Sequence, residues 1–311
     1  MRIRTIRPES RNPFRRAEAL RAGILPDELT GPPYRRVLHG VYVASTNRRS
    51  LLESSRAALH VAAEGAYVSH HTAASIWGGI APSHSSVHIT VPDGNYRNQR
   101  RGVTVHRHRD EGSDIRTKAG VRVASPAQCF CELATAGASL VELVVLGDSL
   151  IRANAVTPDE LIKMADAWPR RRAAVACRAA RLGRPGADSP AESKLRLLIV
   201  LAGLPEPVVN FIVRHENGDW KARFDLCYPE LMILVEYDGD HHNTDPRQRA
   251  RDLERREYLE RLGWRIIVIQ KNHLYGSPDN VIARVQQALL DRGLPKSRCQ
   301  VRPHWMIEFA A

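Results

Sequence analysis

Residues 223–242 carry acidic groups at Asp225, Glu236 and Asp238 on two strand-like runs, with His241 and His242 just beyond, all able to do acid, base or metal chemistry. The acids flank the run Leu231-Met-Ile-Leu-Val235, which is apolar without alternation, as in a strand covered on both faces. Side chains along a strand repeat every second residue, so Glu236 and Asp238 at its end share one side. Asp225 sits between Phe224 and Leu226 in a second strand-like run, where an acid is depleted without a reason. Glu236 directly follows the apolar run, where an unpaired charge is costly. Carboxylates brought together repel, and a divalent cation relieves the repulsion. Mg²⁺ is held by one or two carboxylates plus the phosphate oxygens of a substrate. The outline is that of metal-dependent phosphodiester hydrolysis. His241 and His242 also read as a polar loop after the strand, and Asp238-Gly239 as a simple turn.

The elements that must position these groups are legible from residue 190 onward. A breaker-rich stretch, Leu182-Gly-Arg-Pro-Gly-Ala-Asp-Ser189, is a linker, followed by a helix over 190–201. Runs at 208–213 and 220–227 form a hairpin turning at Asn217-Gly218. A third strand covers 231–237, a charged helix 246–262, a fourth strand 264–269 and a closing helix 278–292. The order is αβββαβα. Ser189-Pro190-Ala-Glu192 fits a capping box, so Glu192 serves either the helix cap or the site. Lys271, at the end of the fourth strand, is either a cation for the site or a solvated residue. The 247–261 helix reads mostly as a solvated face laced with pairs such as Asp252–Arg256.

Upstream, residues 1–46 are dense in Arg with few acids. Asn12-Pro13 reads as a helix start and Gly23 as its stop, with a second short helix near 26–29. Tyr34-Arg-Arg-Val-Leu-His-Gly-Val-Tyr-Val43 reads as a strand pair broken at Gly40. Short helices followed by a basic β-wing outline a winged helix-turn-helix head. Residues 47–183 form a mixed α/β middle region. It has helices at 51–64 and 69–77, strands at 87–91 and 103–106 that pair, and helices opening at Ser125-Pro126 and at the capping box Thr157-Pro-Asp-Glu160. His70-His71 reads as a capped helix start rather than a ligand pair, because no acid lies near it in sequence. Residues 184–311 form the third region, with a C-terminal tail.

The formal charge is +12 in 311 residues, which favours a polyanionic partner and places nucleic acid first. Five scattered cysteines without CxxC spacing argue against a zinc ribbon or disulfide scaffold and fit a reducing cytoplasm. The basic N-terminus lacks a following apolar segment, and no apolar run is long enough for a bilayer, so a soluble protein without a membrane partner is expected.

The αβββαβ order with acids on strands two and three resembles the restriction-endonuclease-like P-D-(D/E)-x-K nuclease superfamily, nearest the branch related to very-short-patch-repair endonucleases. The resemblance rests on Ser189-Pro-Ala-Glu192, Arg223-Phe-Asp225, Val235-Glu-Tyr-Asp-Gly-Asp-His-His242 and Asp252-x-x-Arg255-x-x-x-Leu259-x-x-x-Gly263-Trp264. It implies a DNA endonuclease in repair or defence, with Asp225, Glu236 and Asp238 as ligands to Mg²⁺ (or Mn²⁺) and Glu192 in support. Asp238 stands where that motif usually has Lys, and His242 is the group able to take up the proton instead. The first two regions resemble the abortive-infection antitoxin and regulator family through Arg35-Arg-Val-Leu-His-Gly-Val-Tyr-Val43, Ser69-His-His-Thr-Ala-Ala-Ser-Ile-Trp77 and Val87-His-Ile-Thr-Val-Pro92. This implies double-stranded DNA binding through Arg15, Arg16, Arg21, Arg35 and Arg36. The alternative function is a DNA-binding regulator or antitoxin with an inactive nuclease-like domain. A toxin or repair partner and a homodimer are left open.

Overall fold

The computed structural model describes residues 12–92, 100–108, 112–214, 221–239 and 246–309, with backbone alone for 108, 221–222 and 246–252. The chain is mixed α/β and divides into two compact units, residues 1–138 with 155–177, and residues 139–154 with 178–311.

The first unit opens with β1 (Phe14–Arg15), α1 (Arg16–Arg21), α2 (Pro26–Thr30), β2 (Tyr34–Leu38) and β3 (Val41–Ala44), the strands forming a sheet in the order β1-β3-β2. The helix expected to start at Asn12-Pro13 begins instead at Arg16. Phe14 is buried against Tyr34 and Tyr42 and pairs with Tyr42, which keeps the chain extended until its side chain is covered. The Glu18 carboxylate then accepts the Arg15 amide at 2.7 Å and starts α1.

There follow α3 (Leu51–Val61), β4 (Tyr67–Val68), α4 (His70–Ile76), β5 (Val87–Pro92), β6 (Val103–His108), β7 (Ile115–Lys118), β8 (Val121–Ala124) and α5 (Pro126–Ala136). Their sheet runs β6-β5-β4-β8-β7. The expected pairing of β5 with β6 is present and is parallel, from Val87 opposite Val103 to Pro92 opposite His108.

The second unit contains α6 (Leu140–Arg152), whereas α7 (Pro158–Asp166) returns to the first and α8 (Ala173–Leu182) spans the division. Then come α9 (Pro190–Leu201), β9 (Val208–Arg214), β10 (Lys221–Tyr228), β11 (Ile233–Asp238), α10 (Pro246–Arg261), β12 (Arg265–Gln270), α11 (Lys271–Gly276), α12 (Pro278–Asp291) and α13 (Trp305–Phe309). The αβββαβ order from α9 to β12 is the one read from the sequence. The sheet runs β12-β11-β10-β9, with β9, β10 and β11 antiparallel and β12 parallel to β11. Ile233 and Val235 face a core built with Leu195, Leu198, Ile267 and Ile269, while Leu234 joins Phe224 and Leu259 on the opposite face. Double coverage is why the β11 run is apolar without alternation. The expected turn at Asn217-Gly218 and the side chain of Asp252 lie outside the described residues.

Behind α9, Arg196 is wholly buried and binds Asp148 at 3.1 Å, Glu206 at 3.0 Å and the Leu182 carbonyl at 2.8 Å. This ion pair fastens α6 to α9 in the second unit.

Candidate functional site

Asp225 marks a break in the regular sheet. Residues two apart on a strand normally share a face, yet Phe224 and Leu226 belong to cores on opposite faces. Across from Asp225 in the β9–β10 register stands Asn210, whose φ of +53° places a non-glycine residue in the left-handed region. The register is kept on both sides of this pair, so the irregularity is a local twist of both strands that re-aims the side chain rather than an inserted residue. On the other edge, the recorded β10–β11 pairs run from Tyr228 opposite Ile233 to Leu226 opposite Val235. Beyond them the Tyr237 amide donates to Asp225 Oδ2 at 2.8 Å, so the carboxylate occupies the fork between the two strands. Continuing that register sets Asp225 across from Glu236.

Glu192, on the first turn of α9, is nearly buried. The Ser189 hydroxyl accepts the Glu192 amide at 3.2 Å, as a helix cap should. The return contact lands elsewhere: Glu192 Oε2 accepts from the Asp188 amide at 2.8 Å, so the reciprocal capping box does not form. Asp188 also pairs with the exposed Arg223.

Burial pushes the Asp225 carboxyl up to about 6, with the Tyr237 amide opposing and the charges of Glu192 and Glu236 adding to the rise. Three acids from α9, β10 and β11 thus act on one point. They are not gathered to within 4.8 Å of one another, as two histidine groups in the first unit are. An all-oxygen donor set under mutual repulsion suits a hard divalent ion of the Mg²⁺ or Mn²⁺ type. Asp225 must lose its proton to act as a ligand, so Mn²⁺ affinity is expected to rise by about tenfold per pH unit up to about pH 6 and then level off. Calorimetric titration between pH 5 and 8 checks this.

Glu236 is half-buried and meets Arg255 of α10 at 3.1 Å. The same guanidinium lies 5.4 Å from the centre of the Phe224 ring. In the spaced string from Asp252 to Trp264, Arg255 carries no role of its own. In a helix this rich in arginine, only the fold shows which one turns toward the acids. Asp238 ends β11 beside Gln270 and is exposed, and Lys271 opens α11, also exposed. His241 and His242 lie outside the described residues.

The arginines expected to meet DNA divide into two kinds. Arg15, Arg16, Arg21 and Arg36 are exposed. The Arg15 guanidinium rests on the His60 carbonyl at 3.0 Å, and Arg21 on the Ala17 carbonyl at 3.2 Å. Arg35 is turned onto Glu53 at 2.7 Å, with side-chain exposures of 18% and 6%, and also donates to the Asn47 carbonyl. All five cysteines are free thiols, and among the described residues no helix is long and apolar enough to cross a membrane.

Residues 210–289 match a restriction-endonuclease-like family, REase_MTES_1575, a stretch that holds Asp225, Glu236, Asp238 and Arg255 and leaves Glu192 outside. Residues 55–182 match the AbiEi antitoxin C-terminal domain, a stretch that begins after the β2–β3 strand pair. Two uncharacterized proteins of Mycobacterium tuberculosis, MT2308 and Rv2248, are each 28% identical over 256 residues, covering 82% of this chain and 92% of theirs. A crystal structure of the RV2827C protein from Mycobacterium tuberculosis aligns with a TM-score of 0.39 at 14% identity, covering 66% of this chain and 84% of that one. The chain therefore joins a region similar to an antitoxin C-terminal domain to a region similar to restriction endonucleases.

Proposed function

We propose that this protein is a metal-dependent DNA endonuclease whose active site is built on Asp225 and Glu236, with residues 1–46 as a winged-helix DNA-binding head, 47–183 as a middle domain and 184–311 as the nuclease domain. The observation that carries the reading is the placement of Asp225 in the strand fork, under the charges of Glu192 and Glu236. Asp225 and Glu236 would hold Mg²⁺ or Mn²⁺, Asp238 would extend the ligand set from the same side of β11, and Glu192 on α9 would orient the metal or water. When bound, the ion supplies Lewis-acid stabilisation of charge developing on the scissile phosphate.

The lysine missing at Asp238 has its work divided. Arg255 supplies a fixed cation beside Glu236, able to pair with a phosphate oxygen. A guanidinium does not give up its proton at neutral pH, so proton uptake from the attacking water falls to His242. Arg255→Ala is expected to lower the cleavage rate by about 100-fold, and Arg255→Lys to restore part of it. Single-turnover kinetics read both. The relation to very-short-patch-repair enzymes, and a role in repair or defence, belong to this proposal.

DNA is held through phosphates by Arg15, Arg16, Arg21 and Arg36, while Arg35 shapes the wing through Glu53. Arg36→Ala is expected to flatten the log–log salt dependence of binding by about 0.9. Arg35→Ala is expected to cost about 3 kcal/mol of stability, because it strands a buried Glu53. Fluorescence anisotropy against salt and urea unfolding check the two outcomes.

A second reading is a DNA-binding antitoxin or regulator, with a toxin as partner and an inactive nuclease-like domain. It is favoured by the match over 55–182 and by the Arg255 pairing that already neutralises Glu236. Supercoiled plasmid incubated with the full chain and Mg²⁺, Mn²⁺ or EDTA separates the readings. Metal-dependent nicking lost in Asp225→Ala and Glu236→Ala supports the nuclease. Equal background in every lane, with a footprint at the protein's own promoter, supports the regulator.

A further inference from the structure

Five of the chain's thirteen histidines meet at one place in the first unit, far from the acidic site in sequence. His70 and His71 open α4, His84 precedes β5, His88 lies on β5 and His106 on β6. Ligand atoms of His70, His88 and His106 lie within 4.8 Å of one another, and those of His71, His84 and His88 do the same. The inner group is the more enclosed, with His70 and His88 buried. Its rings are in contact: His70 stacks on His106 at 3.5 Å between centroids, and His88 Nδ1 is 2.8 Å from His106 Nε2.

An ordinary packed core does not ask for this. Imidazoles crowded out of water cannot share charge: burial, reinforced by the neighbouring rings, holds His70 down to about 2, His88 to about 3 and His106 to about 4. Metal ligation uses the neutral imidazole, and the three ligand atoms already converge. Around them stands the outer hydrogen bonding that ligating histidines need. His70 Nδ1 is 3.0 Å from Ser69 Oγ and 3.5 Å from Glu132 Oε2, which leaves Nε2 as the ligating atom. Glu132 is itself fixed by Gln128 at 2.8 Å. His88 Nε2 is turned to His84 at 2.7 Å, which leaves Nδ1 facing His106. His70 also has a φ of +50°, and its amide is held by Glu132 at 2.8 Å. Strain of this kind in a non-glycine residue persists where the surroundings impose it, and such positions cluster at functional sites.

We propose that His70, His88 and His106 form a binding site for one transition-metal ion of the Zn²⁺ class, with Glu132 and His84 as the outer partners that orient His70 and His88. Neutral imidazoles suit a borderline ion such as Zn²⁺, in contrast to the all-carboxylate site in the second unit. The ion ties α4 to β5 and β6.

The helix starts at His70 after Ser69, as the sequence led one to expect. Ser69 makes no side-chain cap, and the acid partner that sequence proximity denied to His70 is Glu132, 62 residues away.

The test uses the untagged full chain, stripped with chelator and returned to Zn²⁺ or, as a spectroscopic probe, Co²⁺. One Zn²⁺ per chain surviving desalting, a rise in Tm and visible Co²⁺ bands of nitrogen ligation are expected. His106→Ala and His88→Ala should each lose the ion at equal concentration, with circular dichroism confirming the fold. Glu132→Gln should weaken binding by about 10–100-fold. Asp225→Asn, in the acidic site, should retain stoichiometric Zn²⁺. No retained ion, retention in a folded His106→Ala, or loss in Asp225→Asn would each overturn the assignment.

Discussion

Asp225→Asn is expected to abolish metal-dependent cleavage by at least about 100-fold while making the metal-free protein more stable at pH 8. The two effects have one cause. The Asp225 carboxyl is raised to about 6 by burial and by Glu192 and Glu236, from an unfolded value near 3.8. A carboxyl raised on folding binds its proton more tightly in the native state, so its contribution to stability is favourable at low pH and is lost as pH climbs toward 6 and beyond. Above that range the ionised group destabilises the fold. Asparagine removes the charge and still offers an oxygen to the Tyr237 amide. The expected gain is about 1–2 kcal/mol at pH 8, after allowance for solvent screening of a half-buried group. It should shrink toward zero near pH 4. A residue kept for packing would lose stability on substitution, whereas one kept for chemistry gains it. Urea unfolding across pH, beside single-turnover cleavage, reads both halves.

Arg196→Ala is expected to be the most damaging single change in the second unit, at about 3–5 kcal/mol. Arg196 and Asp148 have side-chain exposures of 0% and 1%, so removing the guanidinium strands a buried carboxylate and leaves Glu206 and the Leu182 carbonyl without its donors. Burial already raises the Asp148 carboxyl against the opposing pull of Arg196. Without Arg196 it rises further, and the variant recovers stability as pH falls and Asp148 takes up a proton. The double variant Asp148→Leu with Arg196→Met, which empties the site of charge, should regain most of the loss. Urea unfolding at pH 7 and pH 5 distinguishes this from a simple cavity, whose cost would not depend on pH.

What could be read from the chain follows from which interactions are local. The β11 run is apolar at consecutive positions, and that pattern alone required a strand with both faces covered. The capping serine at 189 is likewise a short-range fact, whereas the alternation at 87–91 suggests a half-buried strand and β5 is buried on both faces there. The αβββαβ order emerged from such short-range facts, and with it the neighbourhood of Asp225 and Glu236. Contacts made across the fold were not legible. Nothing local distinguishes Arg255 from the other arginines of α10, and it meets Glu236 only because α10 packs beside that strand. Arg35 reads as a free wing arginine, whereas Glu53, 18 residues on, claims it. His70 shows no acid in its own segment, and Glu132 reaches it from α5. The irregularity at Asp225 depends on Asn210 of the neighbouring strand, whose left-handed backbone has no marker in its own segment. Long-range polar pairing was invisible where short-range patterning was plain.

The proposal rests on the acids of α9, β10 and β11 binding a metal ion, and Mn²⁺ calorimetry on the full chain at pH 7.5 tests that directly. The predicted result is saturable binding that Asp225→Asn and Glu236→Gln each weaken by at least about tenfold and that His88→Ala leaves in place. Binding unchanged in both acid variants, or no binding by the parent chain, would contradict it.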